Sequence, residues 1–200
     1  MLNASIIRFP SIVLVAVVLA ACDAGENSPR DTTAAGAPGS AAAGGSAVAP
    51  SGAMSDANIF AVLDAANVTD SAGGAIAATK GTASQVREFG KMMMRDHHAM
   101  REQGERLAKK LSIVPTPLPG DATQADGQNA LALFNTTAKG KDFDRAYIDH
   151  QVNDHKKVLA FATSAMVAAQ STELKNMLQK AAPIVLAHLD KVQAIQQSMK

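Results

Sequence analysis

Aromatic residues, cysteine and excess charge are all scarce in this chain of 200 residues. Aromatic side chains make up 4% of it, with no Trp and one Tyr. This argues against an all-β sandwich, whose strands favour aromatic and β-branched residues. The formal net charge is only +1, whereas proteins that bind nucleic acid normally carry a basic face with stacking aromatics. We therefore expect no nucleic-acid partner.

The single cysteine, Cys22, excludes a disulfide framework within the chain and a cysteine-rich zinc site. The sequence also lacks a glycine-rich phosphate loop and a nucleophile elbow, so it predicts no enzymatic activity. The residues that dominate instead are Ala, Leu, Met, Lys and Gln, which are helix formers. These observations predict a small all-α protein.

Residues 1–21 are predicted to be a lipoprotein signal peptide. Arg8 is the only charge before Cys22, and the apolar run at 12–21 is shorter than the roughly twenty residues that span a bilayer. The run ends in LAAC at 19–22, which resembles the bacterial lipobox, where the cysteine is lipidated and becomes the new N-terminus. An ordinary signal peptide with an incidental cysteine is the alternative. We expect acylated Cys22 to hold the protein to the lipid bilayer, on the periplasmic side of either envelope membrane.

Residues 22–54 are predicted to be the lipidated cysteine followed by a disordered tether. Ala, Gly, Ser and Pro dominate this stretch, which cannot bury enough apolar surface to offset the entropy of ordering it. Residues 55–200 are then the folded domain, which is long enough for one sizeable hydrophobic core.

The folded domain is predicted to contain four long amphipathic helices. Apolar residues recur there at spacings of three and four, and a short extra helix is expected at about 123–137, in the crossover between the second and third long helices. Pro183 is expected to kink the fourth. Four such helices make a four-helix bundle. The expected N-terminal caps of the long helices are Ser55, Thr82 with Gln85, Asp142, and Ser171 or Thr172.

Several short motifs, taken in order, resemble a known family. They are FGKMMMRDH at 89–97, FDRAY at 143–147, Asp154-His155, and Pro183 followed by His188-Leu189. This pattern is similar to the exported bacterial ferritin-like family of a domain of unknown function, DUF4142, whose members are labelled predicted outer membrane proteins. The resemblance covers about residues 60–200. It implies export and a ferritin-like four-helix bundle, and it implies no established biochemical function.

Each long helix carries one polar residue within its apolar stripe: Asp70, His97, His155 and His188. Each lies about 13–16 residues after its expected cap, or roughly 20–24 Å along the helix, so all four are near mid-helix. Facing helices of a bundle build metal sites in this way. Imidazole and carboxylate ligands suit one divalent Zn, Fe, Mn or Cu ion. The alternative is that the four are core residues with satisfied hydrogen bonds in a cofactor-free structural or partner-binding bundle.

The sequence also bears on two other metal chemistries. A ferritin-type di-iron centre requires Glu-x-x-His pairs, and the chain contains none, so a ferroxidase is not expected. The segment 92–100, with Met94 and His98 (or Met93 and His97) four residues apart, has ligands that suit Cu(I). Methionines at this spacing more often fill a bundle core. His150 and Asp154, also four apart, are expected to form a surface ion pair.

Overall fold

The computed structural model describes residues 54–199, which contain five α-helices and no strand. The all-α prediction is confirmed, and the predicted signal peptide, Cys22 and all but the end of the predicted tether lie outside the described residues. No helix within the described range combines the length and hydropathy that a membrane span requires. The helices are α1 (Asp56–Lys80), α2 (Ser84–Lys110), α3 (Thr123–Thr136), α4 (Lys141–Ala168) and α5 (Thr172–Ser198).

Two of the four predicted helix caps are confirmed. The Ser55 hydroxyl accepts from the backbone N–H of Asn58, and the Asn58 side chain accepts from the Ser55 N–H in return, which completes a capping box at the start of α1. Ser171 caps α5 by accepting from the Leu174 N–H at 3.2 Å. Asp56 joins these two helix starts, because its carboxylate accepts from the backbone N–H groups that precede α5.

The predicted caps of α2 and α4 are wrong. The N-cap of α2 is Ala83, and the Asp144 carboxylate accepts from the Thr82 and Ala83 N–H groups at 2.8 Å each. A carboxylate from α4, and not the Thr82 side chain, therefore satisfies backbone N–H groups at the start of α2. The N-cap of α4 is Gly140, so Asp142 lies inside the first turn, where its negative charge favours the helix dipole.

The long helices pack so that two hydrophobic clusters form at different heights. Each long helix packs against two others: α1 against α2 and α4, and α5 against α2 and α4. Along α1 and α5, residues of the cluster around Ile59 and Leu174 come first, and residues of the cluster around Phe89 and Val192 follow. Along α2 and α4 the order is reversed. Helices α1 and α5 therefore run in one direction, and α2 and α4 in the opposite one.

Helix α3 lies against α1 and also touches α4. Its Phe134 is fully buried, and the Phe134 ring meets the edge of the Tyr147 ring at a centroid distance of 5.4 Å. The Lys80 ammonium donates to the Phe134 carbonyl at 2.7 Å. The crossover segment is thus held to the bundle by an aromatic contact and a charged hydrogen bond. Pro183 lies inside α5. The kink that it is expected to cause stays a prediction.

Candidate metal centre

A layer of buried polar side chains separates the two hydrophobic clusters. On each long helix one ionisable buried residue lies between the stretches that build the two clusters. Each is the polar residue that the sequence places within that helix's apolar stripe. Their exposed fractions are 3% or less, so each is removed from solvent. The four are Asp70 on α1, His97 on α2, His155 on α4 and His188 on α5.

The three histidines of this layer, His97, His155 and His188, form one compact group, which we call the histidine triad. The distances between their ring centroids are 5.3, 5.5 and 5.7 Å. One ligand nitrogen from each ring lies within 4.8 Å of one from each of the others. Three different helices, α2, α4 and α5, therefore bring three imidazoles together.

One nitrogen of each triad ring is fixed by a hydrogen bond on the outer side. His97 Nδ1 lies 2.8 Å from Asn67 Oδ1, and His155 Nδ1 lies 3.0 Å from the backbone carbonyl oxygen of Gln151. His188 Nε2 lies 3.1 Å from a carboxylate oxygen of Asp96. All three partners are acceptors, so each of these nitrogens carries the proton and donates it.

The other nitrogen of each ring is buried and has no hydrogen-bond partner among the described residues. These atoms are Nε2 of His97, Nε2 of His155 and Nδ1 of His188. Buried polar atoms are almost always paired in folded proteins, so three such atoms in one place need an explanation. In the tautomers set by the outer hydrogen bonds, each atom presents a lone pair and no proton.

Burial also keeps the triad uncharged. It lowers the pKa of His97 well below the ordinary value, and the neighbouring His155 and His188 lower it further. Burial likewise lowers the pKa of His155 and of His188, although a hydrogen bond from His188 to Asp96 partly opposes the effect. Neutral imidazole is the form that binds metals. The triad therefore presents three metal-binding nitrogens at neutral pH.

A second group of possible ligands adjoins the triad and shares His155 with it. It contains Asp70 and Asp154, and one carboxylate oxygen of each lies within 4.8 Å of the other and of a His155 nitrogen. Gln151 Nε2 donates to Asp70 Oδ1 at 2.8 Å. Burial raises the pKa of Asp70 to about 7, and burial together with the charge on Asp70 raises that of Asp154 to about 7. Two carboxyl groups held this close favour sharing one proton.

The predicted set of four residues is thus divided between two adjoining groups. The three histidines come together, while the Asp70 carboxylate approaches the outer nitrogen of His97, with Oδ2 3.5 Å from Nδ1. Asp96 reaches His188 on another helix and not its sequence neighbour His97. His97 and His188 are therefore each oriented by a side chain on another helix, whereas His155 is oriented by a carbonyl of its own helix.

Sequence reasoning missed Asn67 and Gln151, and it treated Asp154 only as a member of a surface ion pair. Asn67 lies three residues before Asp70, and Gln151 lies four before His155, so each shares a helix face with a predicted site residue. That spacing was the available signal. The expected surface ion pair between His150 and Asp154 is wrong: no such pair forms, and the His150 ring packs edge-on against Phe134 at 5.3 Å.

The two candidate Cu(I) pairs of α2 lie in different environments, and Met94 with His98 forms no buried site. Met93 is fully buried in the cluster around Phe89, whereas Met94 is 40% exposed. The His98 side chain is 64% exposed and faces Glu102 at 3.4 Å. Consecutive residues of a helix point in different directions. Met94 and His98 therefore lie on the outer surface, while Met93 packs in the core and its pairing with His97 stays a prediction.

Two cavities border this polar layer, and they share Leu63, Ala66 and Val158 in their linings. One, of about 230 Å³, is lined by Asp154 together with Asp121 and Asp126 near the start of α3. The other, of about 270 Å³, is lined by His97 and Asn67 and by mostly apolar side chains. The buried layer is thus bordered by an acidic cavity and by an apolar one.

These features define an all-helical bundle protein with a cluster of buried histidines at its centre. The family described as "Domain of unknown function (DUF4142)" matches residues 41–195. Since this is well over half of the chain, the protein belongs to that family. No curated protein and no solved structure matches the chain.

Proposed function

We propose that the protein is an envelope lipoprotein, tethered to a membrane through acylated Cys22, whose ferritin-like bundle binds one divalent transition metal. The ligands are the inner nitrogens of His97, His155 and His188. The sequence resemblance to an exported family and the lipobox-like LAAC at 19–22 support the tether. The chemistry of the histidine triad supports the metal.

The observation that carries the metal proposal is the pairing pattern of the three rings. In each of His97, His155 and His188, one nitrogen is held by an outer acceptor and the other is buried without a partner. Metal-ligating histidines nearly always donate their second N–H to a carboxylate, a carbonyl or water in this way. Core histidines with only a structural role would be expected to use both nitrogens.

The donor set favours zinc or another late first-row ion. Three imidazoles with an open fourth position are the ligand set of several zinc sites, and bonds of about 2.0–2.1 Å place such nitrogens roughly 3.3 Å apart. The triad nitrogens lie within 4.8 Å of one another, so a movement of under about 1 Å for each brings them to bonding distance. The carboxylates of Asp70 and Asp154 supply the two negative charges that a buried dication requires.

The arrangement of the long helices supports the ferritin-like assignment. Helices α2 and α4 run in the same direction, and the long connection that joins them includes α3. One long crossover of this kind distinguishes ferritin-like bundles from simple up-and-down ones. The chain has no Glu-x-x-His pair, so the proposal is a single-metal site and not a di-iron centre.

The acidic cavity offers a route by which a cation reaches the site. Asp121, Asp126 and Asp154 line it, and Lys157 is the one basic residue among its lining side chains. Lys157 donates to Asp126 at 3.0 Å, which leaves two of the three carboxylates without a cationic partner. A cleft lined by one sign of charge concentrates ions of the opposite sign.

Titration with Co²⁺, whose visible absorption is strong in a tetrahedral site, tests the metal proposal. The full chain is stripped with a chelator and titrated alongside H97Q, H155Q and H188Q. His98→Gln is the matched control, because His98 is next to His97 on α2 but lies on the exposed face. We expect one equivalent to bind, each triad variant to lose at least a hundredfold in affinity, and the control to bind as the parent does.

Two results would overturn the metal proposal. One is the absence of binding by the parent chain to Co²⁺, Zn²⁺, Fe²⁺, Mn²⁺ and Cu²⁺, which would favour a cofactor-free structural or partner-binding bundle. The other is an equal loss of affinity in H98Q and the triad variants, which would place the metal on the surface. Circular dichroism of each variant establishes that the helices remain folded.

A further inference from the structure

The apolar cavity beside the histidine triad lies within the bundle. All four long helices line it, through residues such as Leu63 on α1, Gly104 on α2, Leu159 on α4 and Val185 on α5. It occupies the half of the bundle that holds the cluster around Ile59 and Leu174. At about 270 Å³ it is much larger than the gaps left by ordinary side-chain packing.

Small residues at inward positions create this space. Ala66, Ala162, Ala181 and Ala182 line the cavity where larger apolar residues would fill it. Gly104 also lines it, and a Cβ added there would meet no atom within 4 Å. A glycine in mid-helix costs conformational entropy, and no close helix contact explains this one. The sequence thus leaves the space open at the expense of packing and helix stability.

The two ends of the cavity differ in polarity. Its outer part includes Arg101, whose guanidinium pairs with Asp64 and Glu105 at 2.8 and 2.9 Å, so the carboxylates there outnumber the cation. Its inner part includes His97, which is 2% exposed and has a buried nitrogen without a partner within residues 54–199. The walls between are mainly aliphatic. This combination disfavours anions and admits a neutral molecule.

We propose that this cavity is a binding site for a neutral, largely apolar small molecule of bicyclic size. An engineered apolar cavity of 150 Å³ holds benzene, and this one has nearly twice that volume. The ligand lies among α1, α2, α4 and α5 with one end against His97. This site adjoins the proposed metal site at His97, but it does not require a metal to be bound.

Calorimetric titration of the full chain with indole, a soluble neutral bicycle, tests this assignment. EDTA is present throughout, so that failure of the metal proposal does not affect the result. Two variants, Gly104→Leu and Ala182→Leu, place a larger side chain in the cavity from different helices. Ala187→Leu is the matched control, because Ala187 lies on the exposed face of the same helix as Ala182.

We expect saturable 1:1 binding of indole to the parent chain and to A187L, and at least a tenfold loss of affinity in G104L and A182L. 1-Naphthoate, a bicycle with a negative charge, should bind at least tenfold more weakly than indole. No saturable binding of indole, or equal binding by all four proteins, would overturn the proposal. Circular dichroism shows whether each variant remains helical. If either G104L or A182L does not fold, the other of these two variants decides the outcome.

Discussion

Nε2 of His188 lies 3.1 Å from Oδ2 of Asp96, and this contact joins α5 to α2 at the height of the triad. Because the carboxylate accepts the Nε2 proton, Nδ1 of His188 is left with its lone pair facing the protein interior. The other carboxylate oxygen of Asp96 accepts from the Arg95 guanidinium at 2.9 Å. The carboxylate is therefore held on both sides and acts as a positioning group for the ring.

Removing the charge of Asp96 is expected to weaken metal binding without removing a ligand. Outer hydrogen-bond partners of ligating histidines typically contribute 10- to 100-fold to metal affinity, so Asp96→Asn should lose about that factor in a Co²⁺ titration. Asp190→Asn, an exposed change on α5, is the control. Unchanged affinity in D96N would show that the contact with His188 does not position the ring for a metal.

Metal affinity is expected to fall as the pH is lowered from 8 to 5. The triad imidazoles must be neutral to bind, and the carboxyl groups of Asp70 and Asp154, with pKa values of about 7, must give up their protons to balance the cation. Both requirements act in the same direction. Competition titrations with a chelator of known pH dependence measure the effect. An affinity that stays constant or rises toward pH 5 would contradict this ligand set.

Asp70 is expected to destabilise the metal-free fold at high pH. The pKa of Asp70 is about 7 in the folded state and 3.8 in the free side chain. At a pH between these two values, the folded state therefore retains a proton that the unfolded state has lost. The resulting stabilisation is complete below about pH 4 and is lost as the pH rises through 7.

Asp70→Asn keeps the shape of the side chain and removes the titration, and its new amide group can donate to Asp154. In EDTA at pH 8 the free energy of unfolding should be higher for the variant than for the parent. The difference should be up to about 4 kcal/mol, which corresponds to a pKa shift of about three units. At pH 4 the advantage should disappear. Urea denaturation at the two pH values measures this, and an advantage that does not change with pH would mean that Asp70 is not the group that titrates.

The sequence was sufficient to place the four layer residues at one height, because helical periodicity and distance from a helix start are local properties. Ser55 and Ser171 were found as caps for the same reason. The predicted cap at Thr82 is wrong because a carboxylate 61 or 62 residues away satisfies the start of α2. The predicted cap at Asp142 is wrong because α4 begins at Lys141, after Gly140. The partners Asn67 and Asp96, and the division of Asp70 from the triad, depend on the rotation of each helix about its axis, which tertiary packing decides.

Membrane anchoring is expected to depend on Cys22. If the LAAC segment at 19–22 directs lipidation, Cys22→Ser should prevent acylation and cleavage, and the intact mass of the parent should correspond to an acylated chain that begins at Cys22. Mass spectrometry of the membrane fraction measures both. An unacylated N-terminus in the parent chain would rule out the lipoprotein assignment and leave the bundle and its triad unaffected.

Two glycines in the described helices are expected to respond in opposite ways to the same substitution. A Cβ at Gly74 would lie 2.6 Å from the Gly90 carbonyl oxygen and 2.6 Å from the Met94 nitrogen, so α1 and α2 would have to separate. Gly74→Ala should therefore lower the free energy of unfolding by about 1–3 kcal/mol, the usual cost of overpacking. Gly104→Ala should raise it by about 0.5–1 kcal/mol, because a Cβ there meets open space and the helix gains the better helix former. Urea denaturation of the two variants and the parent at one pH measures these changes in the free energy of unfolding. A destabilising effect of G104A would show that Gly104 is in contact with a neighbour and does not border an open cavity.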